Sequence, residues 1–389
     1  MTAPERPARD RATDERSPNE RSLDDGSMTG PSHADRATSD RATNQGAPMS
    51  EDTKGAIVDT TTTPVRPEAP LPPDDLQAQG LTITARTSGQ LVRRRFFRHR
   101  AAMISLAILI GVTLLAFTSI GFGPFGGWWD KGYERTGTVI NRGAMTLDVL
   151  PSFVDGDGFA WGEHPFGQDD AGIDYFALTM RGTQESLIIA FIVGLVSTVL
   201  GTLIGALAGF FRGWVEGVLM RVTDLFLTVP LLITAAVVSN KFAGQGILFL
   251  AMALGVLIWV QLARLVRGEF LSLREKEYVE AARALGAPGR RIIWRHLLPN
   301  VVGTVIVNAT LTISAAILLE TALSFVGLGV RPPDTSLGLL VSQYQSASQT
   351  RPWLFWWPGL CIVAIALTVN FIGDGLRDAF DPKQTRVRA

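Results

Sequence analysis

Five stretches of this chain run for about a bilayer's thickness without a charged residue: 101–120, 186–210, 242–263, 301–319 and 352–373. A helix needs about 20 apolar residues to cross the hydrocarbon core, where no water can satisfy a stray backbone group. Core helices of a soluble protein are also apolar, but five separate uncharged runs of 19 residues or more exceed what such a core uses. A sixth run, 225–240, reaches full length only by drawing in the turn back to Val218, with Arg221 and Asp224 near one end. The chain therefore reads as an all-α integral membrane protein. Its six spans are expected at about 101–121, 186–211, 218–240, 242–265, 301–326 and 352–374.

Charge orients these spans. Arg93, Arg94, Arg95, Arg98 and Arg100 precede span 1, and Arg264, Arg267, Arg274, Lys276, Arg283, Arg290, Arg291 and Arg295 fall between spans 4 and 5. Arg377, Lys383, Arg386 and Arg388 follow span 6. All lie on one face of a six-span arrangement. The opposite loop, 121–185, holds Lys131, Arg135, Arg142 and Arg181 against ten acidic residues. The positive-inside rule then expects both termini in the cytoplasm and the 121–185 loop outside. Trp128, Trp129, Trp214, Trp353, Trp356 and Trp357 lie near span ends, as an interfacial belt would.

Residues 1–90 differ in kind. They hold 10 of the 21 prolines, no aromatic residue, 10 Lys+Arg and 15 Asp+Glu. So little apolar surface cannot offset chain entropy, and the segment is expected to be a disordered tail preceding a membrane domain over 91–389. Arg-Ala-Thr recurs at 11–13, 36–38 and 41–43, which is low complexity rather than a structural repeat. Cys361 is the single cysteine, so no disulfide forms within the chain. With 36 Lys+Arg balanced by 36 Asp+Glu, nothing recommends a nucleic-acid partner.

Catalytic devices are missing. No lysine follows the glycine of a phosphate-binding loop, and His33, His99, His164 and His296 are scattered without metal-ligand spacing. No catalytic residue, metal or cofactor is expected on this chain. A pump of this kind would draw its energy from a partner.

The loop 266–300 carries the strongest functional signal. Tyr278, Ala281, Ala282 and Leu285 follow helical spacing and form one apolar stripe. Gly286 sits where a left-handed cap would end that helix, Pro288 prevents continuation, and a second helix is expected to stop at Pro299. Ile292, Ile293 and His296 share a face of that second helix. The small Ala281–Ala282 pair permits close approach of a partner, and Glu280 offers it an anion. An amphipathic loop lying on the membrane surface is the alternative.

Glu280-Ala-Ala-x-x-x-Gly286, followed by His296-x-x-Pro299, resembles the EAA loop of binding-protein-dependent ABC importer permeases. Three further stretches narrow the likeness to dipeptide/oligopeptide permeases. They are His164-Pro165-Phe-Gly167-Gln-Asp169-x-x-Gly172-x-Asp174, Leu323-Ser-Phe-Val-Gly-Leu-Gly-Val-Arg-Pro-Pro333, and Asn370-x-x-Gly-Asp374-x-Leu-Arg-Asp-x-x-Asp381-Pro382. The sequence departs from the family pattern at Gln168, where threonine is usual, and at Ile173, where arginine is usual. Leu178 and Gln184 also stand where the family often has arginine. Residues 122–162 match no family element.

The resemblance covers about 90–385 and implies the C-type permease subunit of a prokaryotic inner-membrane peptide importer with the type I ABC importer fold. It implies a second, homologous permease, two ABC ATPase subunits that use ATP and Mg, and an extracytoplasmic solute-binding protein. The EAA loop would form the helix that couples to the ATPase. Relatives with the same architecture carry nickel, glutathione or other small solutes. An ion-coupled secondary transporter would need ionisable relays in several spans, and Glu320 alone sits deep in one.

Within the spans, Glu320 is a candidate for gating or helix pairing, or for lining the pathway. Asn308 and Asn370 are candidate pathway residues, more simply read as hydrogen-bond donors between helices. Arg221 and Asp224 are expected to pair locally. Gly201, Gly205 and Gly209, spaced by four, are expected to permit close helix packing within the bundle, and Pro230 to kink span 3. His164 reads as part of a loop turn.

Overall fold

The computed structural model describes residues 88–147 and 161–381, all within one unit, Thr82–Ala389. The expected tail lies outside the described residues except for 88–90, as do 148–160 of the outer loop and the basic Lys383, Arg386 and Arg388.

The first helices are α1 (Ser88–Arg98) and α2 (Arg100–Ser119), divided at His99, whose Nδ1 accepts from the Ala102 amide at 3.1 Å and so caps α2. A short antiparallel hairpin follows, β1 (Gly121–Phe122) against β2 (Phe125–Gly126), with Gly121 opposite Gly126. Then come α3 (Tyr175–Phe211), α4 (Gly213–Thr228), α5 (Leu231–Phe242), α6 (Ile247–Ile258) and α7 (Val260–Leu273). The chain continues through α8 (Glu277–Ala284), α9 (Gly289–Phe325), α10 (Leu337–Gln343) and α11 (Trp353–Phe380).

Helices α2, α3, α9 and α11 are each long and apolar enough to cross a membrane. The pairs α4–α5 and α6–α7 qualify only jointly, bent by 89° and 46°. Counting each pair as one span gives six among the described residues. Pro230 does more than kink span 3. It cannot donate a backbone bond and drives Val229 to an extended conformation (φ −93°, ψ 128°), so the helix stops and restarts at nearly a right angle. The bend between α6 and α7 has neither Gly nor Pro. It falls at Trp259, which is buried and packs edge-on against Phe226.

Three boundaries differ from the sequence expectation. Helix α3 begins at Tyr175 rather than near 186, because Asp174 caps it and its first turns bury Tyr175, Phe176 and Met180 under an aromatic lid. Helix α9 passes straight through Pro299. A π-helical turn over Ile293–Leu297 routes the Leu298 amide to the Ile293 carbonyl, which widens the backbone where the proline ring would otherwise strike the preceding turn. The stretch after α9 contains α10, capped by Ser336, whose Oγ accepts from the Leu339 amide at 3.1 Å.

Helix α3 is the centre of the bundle. Its glycine row meets α7 backbone to backbone. A Cβ on Gly201 would stand 2.9 Å from the Trp259 carbonyl, one on Gly205 2.5 Å from the Ala263 carbonyl, and one on Gly209 2.5 Å from Phe270 Cβ. The packing is thus within the chain. Leu187, Ile189, Ala190 and Val193 carry another face of α3 into the main core with Leu250, Leu254, Ile317 and Ile365. Asp224 does not pair with Arg221. It pairs with Arg264 of α7, and Glu216 accepts from Arg267 Nε at 2.8 Å, so two charges of α4 are answered by α7.

Gly205→Leu is expected to force α3 off α7 and cost about 1–3 kcal/mol, the usual penalty for overpacking. Thermal unfolding of the purified protein should show a lowered midpoint. Gly217→Ala, where a Cβ meets nothing within 4 Å, serves as the control and should not lower it.

Candidate coupling surface and interior polar sites

Helix α8 is short, and its ending is fully determined. The Gly286 amide donates to the Arg283 carbonyl and the Ala287 amide to the Ala282 carbonyl, both at 3.0 Å, with Gly286 at φ +78°. This pair of bonds is the Schellman arrangement, and it needs a residue that tolerates positive φ. Val279 is the buried anchor of α8. It joins Ala206, Leu262, Val266, Phe270, Ile292 and Leu297 in a small core that ties α8 to α3, α7 and α9. The stripe read from the sequence points the other way. Leu285 is 88% exposed, Tyr278 is 44% exposed, Glu280 and Ala281 are exposed, and Ala282 is half-buried. His296 is half-buried in the π-helical turn and Pro299 is exposed on α9. The Asn300 side chain donates to the His296 carbonyl at 2.6 Å.

The outer motif folds around two carboxylates. Asp169 accepts from the amides of Ala171 (2.9 Å) and Ile173 (2.7 Å), closing a tight loop in which Gly172 has φ +74°. Its Oδ2 accepts from the Tyr344 hydroxyl at 3.1 Å; burial, and then the Asp169 charge, push ionisation of that hydroxyl upward. Asp174 caps α3 through the Ala177 amide (3.0 Å), accepts from Trp129 Nε1 (2.8 Å), and lies 2.7 Å from His164 Nδ1. Lys131 Nζ stands 3.3 Å from His164 Nε2, an arrangement that makes Nδ1 the donor to Asp174. Gly167 leaves no room for a side chain, because a Cβ would stand 2.6 Å from the Gly143 carbonyl and 2.7 Å from Trp353 Nε1. Beside it, Pro165 is buried and Phe166 stacks on Trp357, ring centres 4.0 Å apart.

Two departures from the family pattern have visible work. Gln168 accepts from the Ile140 amide at 2.8 Å and donates to the carbonyls of Thr138 (3.2 Å) and Gly172 (3.1 Å), which fastens the added loop to the motif. Gln184 donates to the carbonyls of Ala116 and Gly121, both at 2.8 Å, and so ties α3 to the end of α2. Neither role is legible in the sequence, because each glutamine's partners are backbone groups brought near only by the fold.

Glu320 is 1% exposed on α9. Its Oε1 accepts from Ser324 Oγ (2.7 Å) and Ser336 Oγ (2.6 Å), and the Ser186 hydroxyl lies beside the carboxylate. Nearby, Glu185 pairs with Arg181 at 2.6 Å and accepts from the Thr335 amide at 2.9 Å, and Ser186 Oγ accepts from the Leu337 amide at 3.1 Å. These groups pin the segment between α9 and α10 onto α3. Glu320 thus joins α9 to the start of α10. Asn308 differs from the expectation of an interhelical bond: its amide donates to the Thr304 carbonyl of its own helix at 3.1 Å, beside a cavity of about 520 Å³ that Arg377 also lines. Asn370 is half-buried on α11 and makes no side-chain hydrogen bond among the described residues. The structure brings Tyr278, Glu280, Ala281, Ala282, Gly286 and His296 to one end of the bundle and the six outer-motif residues together elsewhere. It does not unite Asn308, Asn370 and Glu320 in one site.

Glu320→Ala leaves two buried hydroxyls without their acceptor and is expected to destabilise the protein by about 1–3 kcal/mol, read as a lower thermal midpoint. Asp174→Ala removes a helix cap and two side-chain contacts together, and limited proteolysis should then cut within 121–147 at protease levels the parent chain resists.

Comparison with known proteins shows what the chain is similar to. A family model described as binding-protein-dependent transport system inner membrane component matches residues 201–386, and one described as the N-terminal TM domain of oligopeptide transport permease C matches 87–127. The oligopeptide transport system permease protein OppC of Mycobacterium tuberculosis is 38% identical over 299 residues, covering 77% of this chain and 96% of the relative. OppC of Escherichia coli K12 is 37% identical over 306 residues, covering 79% and 95% respectively. Among solved structures, an inward-facing form of the MetNI methionine ABC transporter is similar at 24% identity and a TM-score of 0.43, over 52% of this chain and 96% of that one. With several apolar spans and this identity over most of its length, the chain belongs to the OppC family of ABC importer permeases, multi-pass inner-membrane transport subunits that are not themselves catalytic and that work with other ABC components.

Proposed function

We propose that this permease imports oligopeptides as one half of a translocation pore, beside a second homologous permease, and that α8 is its coupling helix. One observation carries the coupling role: α8 is held from beneath by Val279 and ended by Gly286, while it presents Tyr278, Glu280, Ala281 and Leu285 outward. An apolar face that exposed on a well-anchored helix suits a docked partner. In this reading the partner is a cleft of an ABC ATPase, one of two, and those subunits bind ATP and Mg. Glu280 meets a cation or backbone amide of that cleft, and His296 and Pro299 shape the base of the loop. Both termini and α8 lie in the cytoplasm, as the arginine distribution favours.

On the opposite side, an extracytoplasmic binding protein delivers the peptide to the loop built on His164, Pro165, Gly167, Asp169, Gly172 and Asp174. Glu320 serves gating through its hold on the α9–α10 segment, and Asn308 and Asn370 face the pathway only after the spans rearrange. Closure of the ATPases on nucleotide shifts the bundle between inward- and outward-open states. Oligopeptide as the cargo is supported by the names of the OppC relatives.

Leu285→Asp and Glu280→Lys are expected to lower peptide uptake at least about tenfold at equal membrane abundance, since truncating an interface anchor costs about 2 kcal/mol or more. Affinity purification from mild detergent should recover two ATPases with the parent chain and lose them with either variant. Retention of the ATPases and normal uptake would remove α8 from the coupling role.

A further inference from the structure

We propose that a groove between α3 and α9 binds one anionic phospholipid. The groove measures about 570 Å³. Val199, Leu203 and Phe211 form its α3 wall, and these side chains stand exposed. The α9 wall is a single helical stripe: Arg290, Trp294, Leu298, Val302 and Val305. Read along α9, that stripe passes from a guanidinium through an indole to aliphatic side chains, the polarity profile of a lipid from headgroup to acyl chain.

Charge complementarity selects the occupant. The mouth opens into a second hollow of about 900 Å³ lined by Pro288, Arg290, Arg291, Trp294 and Arg295. Arg290 and Trp294 belong to both, so the basic hollow and the apolar groove form one continuous site. None of the three arginines forms an ion pair among the described residues. Basic pockets between spanning helices are a recurrent way to hold anionic headgroups. A transmembrane segment of another subunit would match the apolar wall but not three unanswered cations at its end. The exposed stripe of α8 runs through Tyr278 and Leu285 and shares no residue with this site, so a lipid here leaves the coupling surface open.

The test is native mass spectrometry of the full-length chain purified in mild detergent from membranes supplemented with phosphatidylglycerol or phosphatidylcholine. One phosphatidylglycerol should be retained and phosphatidylcholine lost. Arg290→Gln/Arg291→Gln/Arg295→Gln is expected to weaken retention of the anionic lipid by about a hundredfold, given the contribution of each basic residue beside an anionic surface. Leu203→Trp, which fills the groove and keeps the cations, should also expel it, and unchanged thermal midpoints would show that both variants fold. Equal retention of the two lipids, or no change in the arginine variant, would overturn the proposal. So would cross-linking of Leu203→Cys to another protein chain in native membranes, since that would place a protein segment in the groove.

Discussion

The close approach of α3 to α7 is the contact on which the rest of this bundle depends. In lipid there is little hydrophobic gain from bringing two helices together, so association must come from dispersion and backbone proximity. Gly201, Gly205 and Gly209 supply that proximity along three successive turns. They let α7 sit against the backbone of α3, which in turn sets where Arg264 and Arg267 reach the carboxylates of α4. The same contact continues into the small core around Phe270 and Val279, so α8 inherits its position from a glycine row that begins deep in the bundle.

At the other end of α3, order comes from polar groups. Asp174 starts the helix, Gln184 ties it to α2, and Glu185 and Ser186 hold the α9–α10 segment. Buried polar groups are costly unless paired, so each of these positions is constrained by the partner it satisfies. Glu320, held by the hydroxyls of Ser324 and Ser336, sits at the point where the proposed gating would need a polar group able to change partners.

Much of this was legible from the order of residues. The membrane spans are visible because a bilayer favours long uncharged runs, and the α8 cap is visible because a glycine between a helical stripe and a proline has few other uses. Other features depend on tertiary partners. The bend at Trp259 coincides with neither a Gly nor a Pro, and its ring is buried there. Pro299 looked like a stop because the π-helical turn that accommodates it has no sequence signature. Val279 was missed because the stripe of Tyr278 and Leu285 was the more conspicuous pattern, and that stripe marks the free face of α8 rather than the packed one. Asp224 found Arg264, distant in sequence, in preference to the arginine one turn away.

The continuity of α9 has a mechanical meaning. From Gly289, next to α8, to Phe325, beyond Glu320, the helix is 37 residues long. At the rise of an α-helix that is a rod of about 55 Å, stiffened along its length by intrahelical bonds. A tilt of about 5° about the base would carry the far end roughly 5 Å, on the order of the diameter of a side chain, over such a length. Had Pro299 broken the helix, as its position suggested, the two ends would be connected by a hinge that absorbs motion. The π-helical turn keeps them in one continuous helix, so under the proposed coupling a small displacement at α8 would arrive amplified at the serine-held segment.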